Sequence, residues 1–140
     1  MYKSALIYGG VFALIAIIIG AFGAHVLKLY INQDQLNTLE TGVKYQMYHA
    51  IALILIGMVY RSFPFKQFKI ATALFILGIL LFSGSIYAIT ALRIAGDVGI
   101  GRMGFITPLG GICFMAGWVS FILGLTLNKE QNAPRRSSKS

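Results

Sequence analysis

The sequence contains very little charge. Only 11% of its 140 residues are Asp, Glu, Lys or Arg, against roughly 25% in an average soluble domain. Three stretches, 4–27, 70–92 and 103–127, contain no charged residue, and 45–60 is a shorter stretch of the same kind. A helix on the surface of a soluble domain needs a polar face that recurs every 3.6 residues. These stretches have none, which excludes an ordinary soluble helical domain.

The sequence also lacks the motifs of common catalytic and cofactor sites. Its single cysteine, Cys113, excludes a disulfide within the chain and is predicted to be a small core residue. It contains no phosphate-binding glycine-rich loop and no H-E-x-x-H zinc motif. Ser83 and Ser85 flank Gly84, but no base is expected at their depth in the membrane. We therefore expect a protein that is not an enzyme and that holds no resident cofactor or metal.

The apolar stretches predict four membrane spans. A helix rises 1.5 Å per residue, so crossing a hydrocarbon core of about 30 Å takes roughly 20 apolar residues. We place the spans at about 4–26, 42–61, 70–92 and 104–127. The first apolar run is longer than the core of a cleaved signal peptide, so we expect it to be retained. The fold class is therefore all-α, an integral membrane bundle of four transmembrane helices.

The segments between the spans differ in character. A short amphipathic helix is predicted on the outer surface from Asp34 onward, running into the second span. Apolar side chains recur along it at spacings of three and four, and polar side chains fill the other face. The apolar residues are Leu36, Leu39, Val43 and Met47. The segment 128–140 is polar, contains Pro134, and is predicted to be a disordered tail.

Basic residues predict the orientation in the membrane. With four spans, both termini and the loop between the second and third spans lie on the same side. That side holds eight of the twelve basic residues, and the opposite side holds Lys28, Lys44, Arg93 and Arg102. The positive-inside rule therefore places both termini in the cytoplasm. The net charge of +8 is accounted for by orientation and by contact with anionic lipids. It gives no reason to expect a nucleic acid partner.

Small residues predict the helix contacts. In a membrane, helices associate by close packing through small side chains, because lipid supplies no hydrophobic force between them. We expect close helix packing at six glycines: Gly20, Gly23, Gly84, Gly110, Gly111 and Gly117.

A set of polar residues is predicted to form a binding site at the outer ends of the spans. Ionisable groups in a bilayer are costly and usually point inward to a partner. His25 ends the first span, and Tyr45 and His49 lie four residues apart in the second. We expect them to converge, with His25 and His49 within about 10 Å, the reach of direct contacts or one bridging water. The candidate residues for a ligand or partner are His25, Glu40, Tyr45, His49, Arg93 and Thr107.

Motifs in all four spans resemble a known family. They are GAFGAH at 20–25, TGVKYQMYHA at 41–50, FSGSIY at 82–87 and ITPLGG at 106–111, followed by Gly117-Trp118. Together they resemble the small four-span membrane proteins of domain-of-unknown-function family 423. The resemblance implies an integral inner-membrane protein whose biochemical activity is unassigned.

Three functions remain open on the sequence alone. The first is a non-enzymatic accessory or assembly subunit that binds a partner protein or lipid through the outer polar cluster, with membrane lipids, a homo-oligomer or a larger membrane complex as partners. The second is a small oligomeric transporter or channel. It is disfavoured because the sequence places no ionisable residue at mid-membrane depth, where substrate sites usually lie. The third is a redox protein that binds haem or a quinone.

Overall fold

The computed structural model describes residues 2–96 and 104–131, with side chains as far as 127. This part of the chain forms four long helices: α1 (Lys3–His25), α2 (Gln33–Val59), α3 (Lys66–Ile94) and α4 (Ile106–Gln131). A short 3₁₀ turn, Leu27–Leu29, follows α1. All four helices are long and apolar enough to cross a membrane. The all-α membrane bundle expected from the sequence is confirmed.

The predicted amphipathic helix and the second span form one uninterrupted helix, α2. Asn32 caps its start: the Asn32 side chain accepts the backbone N–H of Gln35 at 2.9 Å, and the Gln35 side chain accepts that of Asn32 at 3.0 Å. This reciprocal capping box fixes the first turn. No proline interrupts the chain before Val59, so the surface segment is the first part of the second span's own helix rather than a separate element.

The other helix ends follow from local signals. Pro64 lies in the break between α2 and α3, where its missing N–H cannot continue a helix. α3 ends at Ile94, and two residues later Gly96 has a φ of 81°, in the left-handed region that favours glycine. α4 continues to Gln131, so the tail predicted to be disordered from 128 begins with helix. The rest of that tail, 132–140, and most of the third loop lie outside the described residues.

The helices pack in chain order and leave the bundle open. α1 packs against α2, α2 against α3, and α3 against α4, and among the described residues no comparable interface joins α1 to α4. The buried core lies along α2 and α3, where it includes Leu53, Ile56, Phe68 and Phe75. Grooves therefore remain at the surface of the bundle, between helices that are not direct neighbours.

A repeat of seven residues holds α3 against α4. Three phenylalanines of α3 lie over three glycines of α4, in antiparallel order. A Cβ added at Gly117 would lie 2.5 Å from the Phe75 ring, and one at Gly124 would lie 3.0 Å from the Phe68 ring. Gly110 approaches the backbone of Phe82. A heptad repeat keeps one face of a helix against its partner, as in left-handed coiled coils.

The glycines predicted to pack helices fall into two groups. Gly20 lies against Val43 and Gly23 against Leu39 on α2, and Gly110 and Gly117 pack against α3. Contrary to the prediction, Gly84 does not lie at a close helix crossing: the nearest atom to an added Cβ is the Ile79 carbonyl oxygen at 4.0 Å.

Gly111 is the second exception, because an added Cβ there would meet no described atom of another element within 4 Å. Both glycines line grooves instead. Small residues identify a candidate crossing, but the sequence does not say which side of the helix faces a neighbour.

A reporter fused after Ser140 is expected to be cytoplasmic. Four spans place both ends of the chain on one side, and that side holds most of the basic residues. A pair of fusions, one active only in the cytoplasm and one active only outside it, measures the orientation. A reporter active outside the cytoplasm would reverse the orientation proposed here.

Candidate functional site

His49 lies in the charge-free stretch 45–60 of α2, and its neighbour Ala50 packs against Gly9 in the charge-free stretch of α1, which puts His49 in the membrane-spanning part of the bundle. It is roughly 24 Å along the helix from Gln33 and roughly 15 Å from Val59 at 1.5 Å per residue. The imidazole is only 5% exposed. Its Nδ1 lies 2.7 Å from the Tyr45 carbonyl oxygen, and its Nε2 accepts the Trp118 indole N–H at 3.2 Å. A carbonyl only accepts and an indole N–H only donates, so these partners select the neutral Nδ1–H tautomer.

Aromatic rings surround this histidine. The Phe114 ring lies parallel to the imidazole, with centroids 3.6 Å apart and an interplanar angle of 8°. Tyr45, four residues earlier on the same helix face, stacks at 6.2 Å and 25°. Phe75 and Trp118 complete the surroundings. His49 thus has two satisfied nitrogens inside an aromatic environment.

These rings form the wall of a groove between α2 and α4, which we call the α2–α4 groove. Its volume is about 370 Å³. Met115 and Pro108 are exposed along it, and Trp118 is 40% exposed, so the groove opens at the surface of the bundle that faces lipid. Gly111 leaves a notch where a side chain would otherwise stand. The groove is lined by Tyr45, His49, Phe82, Pro108, Gly111, Phe114, Met115 and Trp118.

A second polar contact, centred on Gln46, joins three helices. The Gln46 amide nitrogen donates to the Phe12 carbonyl oxygen of α1 at 2.8 Å, and its amide oxygen accepts the Tyr87 hydroxyl of α3 at 2.9 Å. Gln46 is 2% exposed. Both hydrogen-bonding groups of a buried amide are therefore satisfied, as an apolar environment requires. This contact is a structural bridge that sets the arrangement of α1, α2 and α3.

Two serines of α3 add further links between helices. The Ser83 hydroxyl donates to the Gly42 carbonyl oxygen of α2 at 2.7 Å. The Ser85 hydroxyl lies 2.6 Å from that of Thr107 in α4. Thr107, which the sequence offered as a binding candidate, therefore links α3 to α4.

The structure does not bring His25 to His49. Gly9 of α1 lies against Ala50, the neighbour of His49, and Gly23 lies against Leu39. His25 is thus roughly 24 Å farther along α1 than the level of His49. The predicted approach of the two histidines is wrong, and one chain cannot offer both as axial ligands of a single haem. His25 is exposed at the end of α1.

The remaining predicted residues are distributed over two other places. Arg93 and Thr107 line a cavity of about 390 Å³ where the start of α2, the end of α3 and the start of α4 meet, together with polar residues of α2; we call it the α2–α3–α4 cavity. Glu40 lies on the side of α2 that faces α1, and its carboxylate is 3.6 Å from the Lys44 ammonium. The six predicted residues therefore do not form one cluster: Tyr45 and His49 share the α2–α4 groove, and Arg93 and Thr107 share the α2–α3–α4 cavity.

Two residues that make hydrogen bonds between helices were not among the predicted site residues. Trp118 donates to His49, and Gln46 joins α1, α2 and α3. Trp118 is the only tryptophan in the chain, and it lies inside the last span, whereas membrane tryptophans are enriched at the interfaces. Gln46 is an amide in a charge-free stretch. An unusual depth for the residue type was the available signal in both cases.

The fold and the groove define a small four-helix membrane protein with a partly polar groove open toward lipid. The chain belongs to the family described as protein of unknown function DUF423, whose model matches residues 19–111. This match confirms the family resemblance seen in the four span motifs.

Relatives in several bacteria cover nearly the whole chain. The UPF0382 membrane protein SSP2132 of Staphylococcus saprophyticus is 36% identical over 124 residues, which is 87% of this chain and 96% of that protein. The UPF0382 membrane protein YwdK of Bacillus subtilis is 36% identical, over 86% of this chain and 94% of the relative. The UPF0382 inner membrane protein YgdD of Escherichia coli K12 is 32% identical, over 85% and 86%. No solved structure matches the chain.

Proposed function

We propose that this protein is a non-enzymatic membrane protein that binds a lipid-phase molecule in the α2–α4 groove, as an accessory component of the membrane. The observation that supports this function is His49, a buried ionisable side chain in the wall of a groove that opens toward lipid. The groove volume of about 370 Å³ falls within the range of small-molecule sites, roughly 300–1,000 Å³.

The polarity of the groove wall favours a specific occupant over bulk lipid. A groove filled only by acyl chains would need only apolar walls. Here a histidine and an indole N–H lie among aromatic rings at mid-membrane depth, where a polar group is costly and usually functional. Ligand sites in proteins combine mostly apolar walls with a few placed polar groups in this way.

Transport is the second candidate, and the depth of His49 favours it. Substrate sites of transporters usually lie near the bilayer midplane. The sequence predicted no ionisable residue at that depth, whereas His49 lies in the membrane-spanning part of α2. A transporter would exchange its ligand between the two sides of a vesicle, whereas a binding protein would only retain it.

Filling the groove is expected to remove the bound molecule. Gly111→Phe places a ring in the notch, where an added Cβ meets no described atom of another element within 4 Å, so the ring occupies the groove without distorting the helices. We expect at least a tenfold drop in the fraction of protein that carries a lipid-sized adduct. Native mass spectrometry of protein released from the membrane measures that fraction.

Gly10→Phe is the matched control for this substitution. Gly10 is also an open glycine in a membrane helix, but it lies on α1, away from the groove. We expect its adducts to match those of the wild type. Equal adducts in both variants and the wild type would contradict binding in the groove. An alternative result is that the wild type and Gly10→Phe carry a bound polypeptide that Gly111→Phe lacks. That result would support an accessory role in which the groove binds a partner protein and not a lipid.

A further inference from the structure

The hydrogen bond between Trp118 and His49 restricts what the groove can bind. The indole N–H can only donate, and Nε2 of the Nδ1–H tautomer can only accept. They satisfy each other at 3.2 Å. A ligand that separates them must replace both halves of this contact, because an unpaired polar group in an apolar environment is costly.

A hydroxyl group meets this requirement. Its oxygen accepts the Trp118 N–H while its proton is donated to the His49 Nε2. A carbonyl or ether oxygen would satisfy the indole and leave the imidazole nitrogen without a donor, and an ammonium would do the reverse. Two such bonds would separate the two nitrogens to roughly 5 Å. The Trp118 indole is 40% exposed, so it has open space on one side in which to rotate.

The remaining walls favour a flat ring next to that hydroxyl. Tyr45 and Phe82 stack on each other at 4.7 Å and 28°, and both rings lie within 6.2 Å of Phe114, so the three rings form one continuous aromatic wall of the groove. Aromatic rings pair with one another beyond the energy of simple burial. The Gly111 notch leaves room for a ring at the wall, and the opening toward lipid leaves room for an alkyl chain.

The geometry points to a lipid-soluble phenol, such as a quinol, as the ligand class, with its hydroxyl bridging Trp118 and His49. This assignment rests on the proposed function, because it names the occupant of the same groove. It concerns binding alone and includes no redox step. Trp118 and His49 act as the specificity-determining pair, and the aromatic rings hold the ligand ring.

A matched pair of ligands tests the bridging hydroxyl. The probes are a long-chain para-alkylphenol and its methyl ether, both brominated on the alkyl chain so that contact quenches tryptophan emission. Trp118 is the only tryptophan in the chain and is 40% exposed, so quenching of the full-length protein in nanodiscs reports the groove once the quenching by a brominated alkane that lacks the ring is subtracted. We expect the phenol to bind about tenfold more tightly than the ether, since the ether lacks the donor for His49.

Two variants separate this inference from the proposed function. His49→Phe keeps a ring beside Phe114 and removes the acceptor, so phenol and ether should bind it equally well. Gly111→Phe should weaken both ligands. Equal affinity of the wild type for the two ligands would overturn the hydroxyl assignment even if His49→Phe fails to fold. If Gly111→Phe still weakened both ligands in that case, the groove itself would remain supported. Unchanged binding to Gly111→Phe would overturn both proposals.

Discussion

Replacing Gly110 by valine is expected to destabilise the folded protein by about 3 kcal/mol, the upper end of the usual range for overpacking. The Cβ of the new side chain would collide with the backbone nitrogen and Cα of Phe82. A flexible side chain could rotate away, but a helix backbone cannot, so α3 and α4 must separate. Loss of helicity in detergent, followed during heating or titration with a denaturing detergent, measures the change.

Gly111→Val is the control, because it makes the same change one residue later in the same helix. An added Cβ at Gly111 meets no described atom of another element within 4 Å, so we expect stability close to that of the wild type. The effect of valine on helix propensity is the same in both variants. Equal losses of stability in the two variants would show that Gly110 is not a contact point between α3 and α4.

The spans were predictable because they depend on composition. A charge-free run of about 20 residues is costly in water and stable in lipid whatever its neighbours are. Each predicted span overlaps one of the four helices. The repeat of seven residues was also present in the sequence, as Phe68, Phe75 and Phe82 opposite Gly110, Gly117 and Gly124. It becomes informative only when α3 and α4 are known to be antiparallel neighbours.

The depth of His49 was predicted incorrectly because this residue was assigned to the opening of the second span. A span from 42 to 61 already puts His49 roughly 10 Å from its start. The cap at Asn32 adds further turns before that point, so α2 runs from Gln33 and His49 lies well inside it. The same assignment grouped His49 with His25, which does lie at a helix end. Counting about 1.5 Å per residue from position 42 would have separated the two histidines from the sequence alone.

The direction in which each side chain points could not be predicted from the residue types. Gly84 and Gly110 are equally small, but one lies beside an open groove and the other beside a backbone. Which side of a membrane helix meets a neighbour depends on the packing of all four helices together, since every side of such a helix is apolar. Trp118 was therefore visible in the sequence, whereas its contact with His49 was not.

Replacing Gln46 by leucine is expected to destabilise the protein by about 2 kcal/mol, since hydrogen bonds between membrane helices contribute roughly 0.6–2 kcal/mol each. Leucine has a similar volume, so the loss comes from the two contacts to Phe12 and Tyr87 rather than from a cavity. The Phe12 carbonyl keeps its own helical partner, but the Tyr87 hydroxyl loses its acceptor. Unfolding of the purified variant in detergent measures the difference.

Tyr87→Phe separates the two contacts of Gln46. This variant removes the hydroxyl and leaves the amide bonded to Phe12, so we expect about half of the loss seen in Gln46→Leu. The double variant should be no less stable than Gln46→Leu alone, because it removes the hydroxyl that would otherwise be unpaired. Tyr48→Phe, at a tyrosine that is 58% exposed, should leave stability unchanged. Additive losses in the double variant would mean that Gln46 and Tyr87 act independently, and α1, α2 and α3 would then not be joined through this amide.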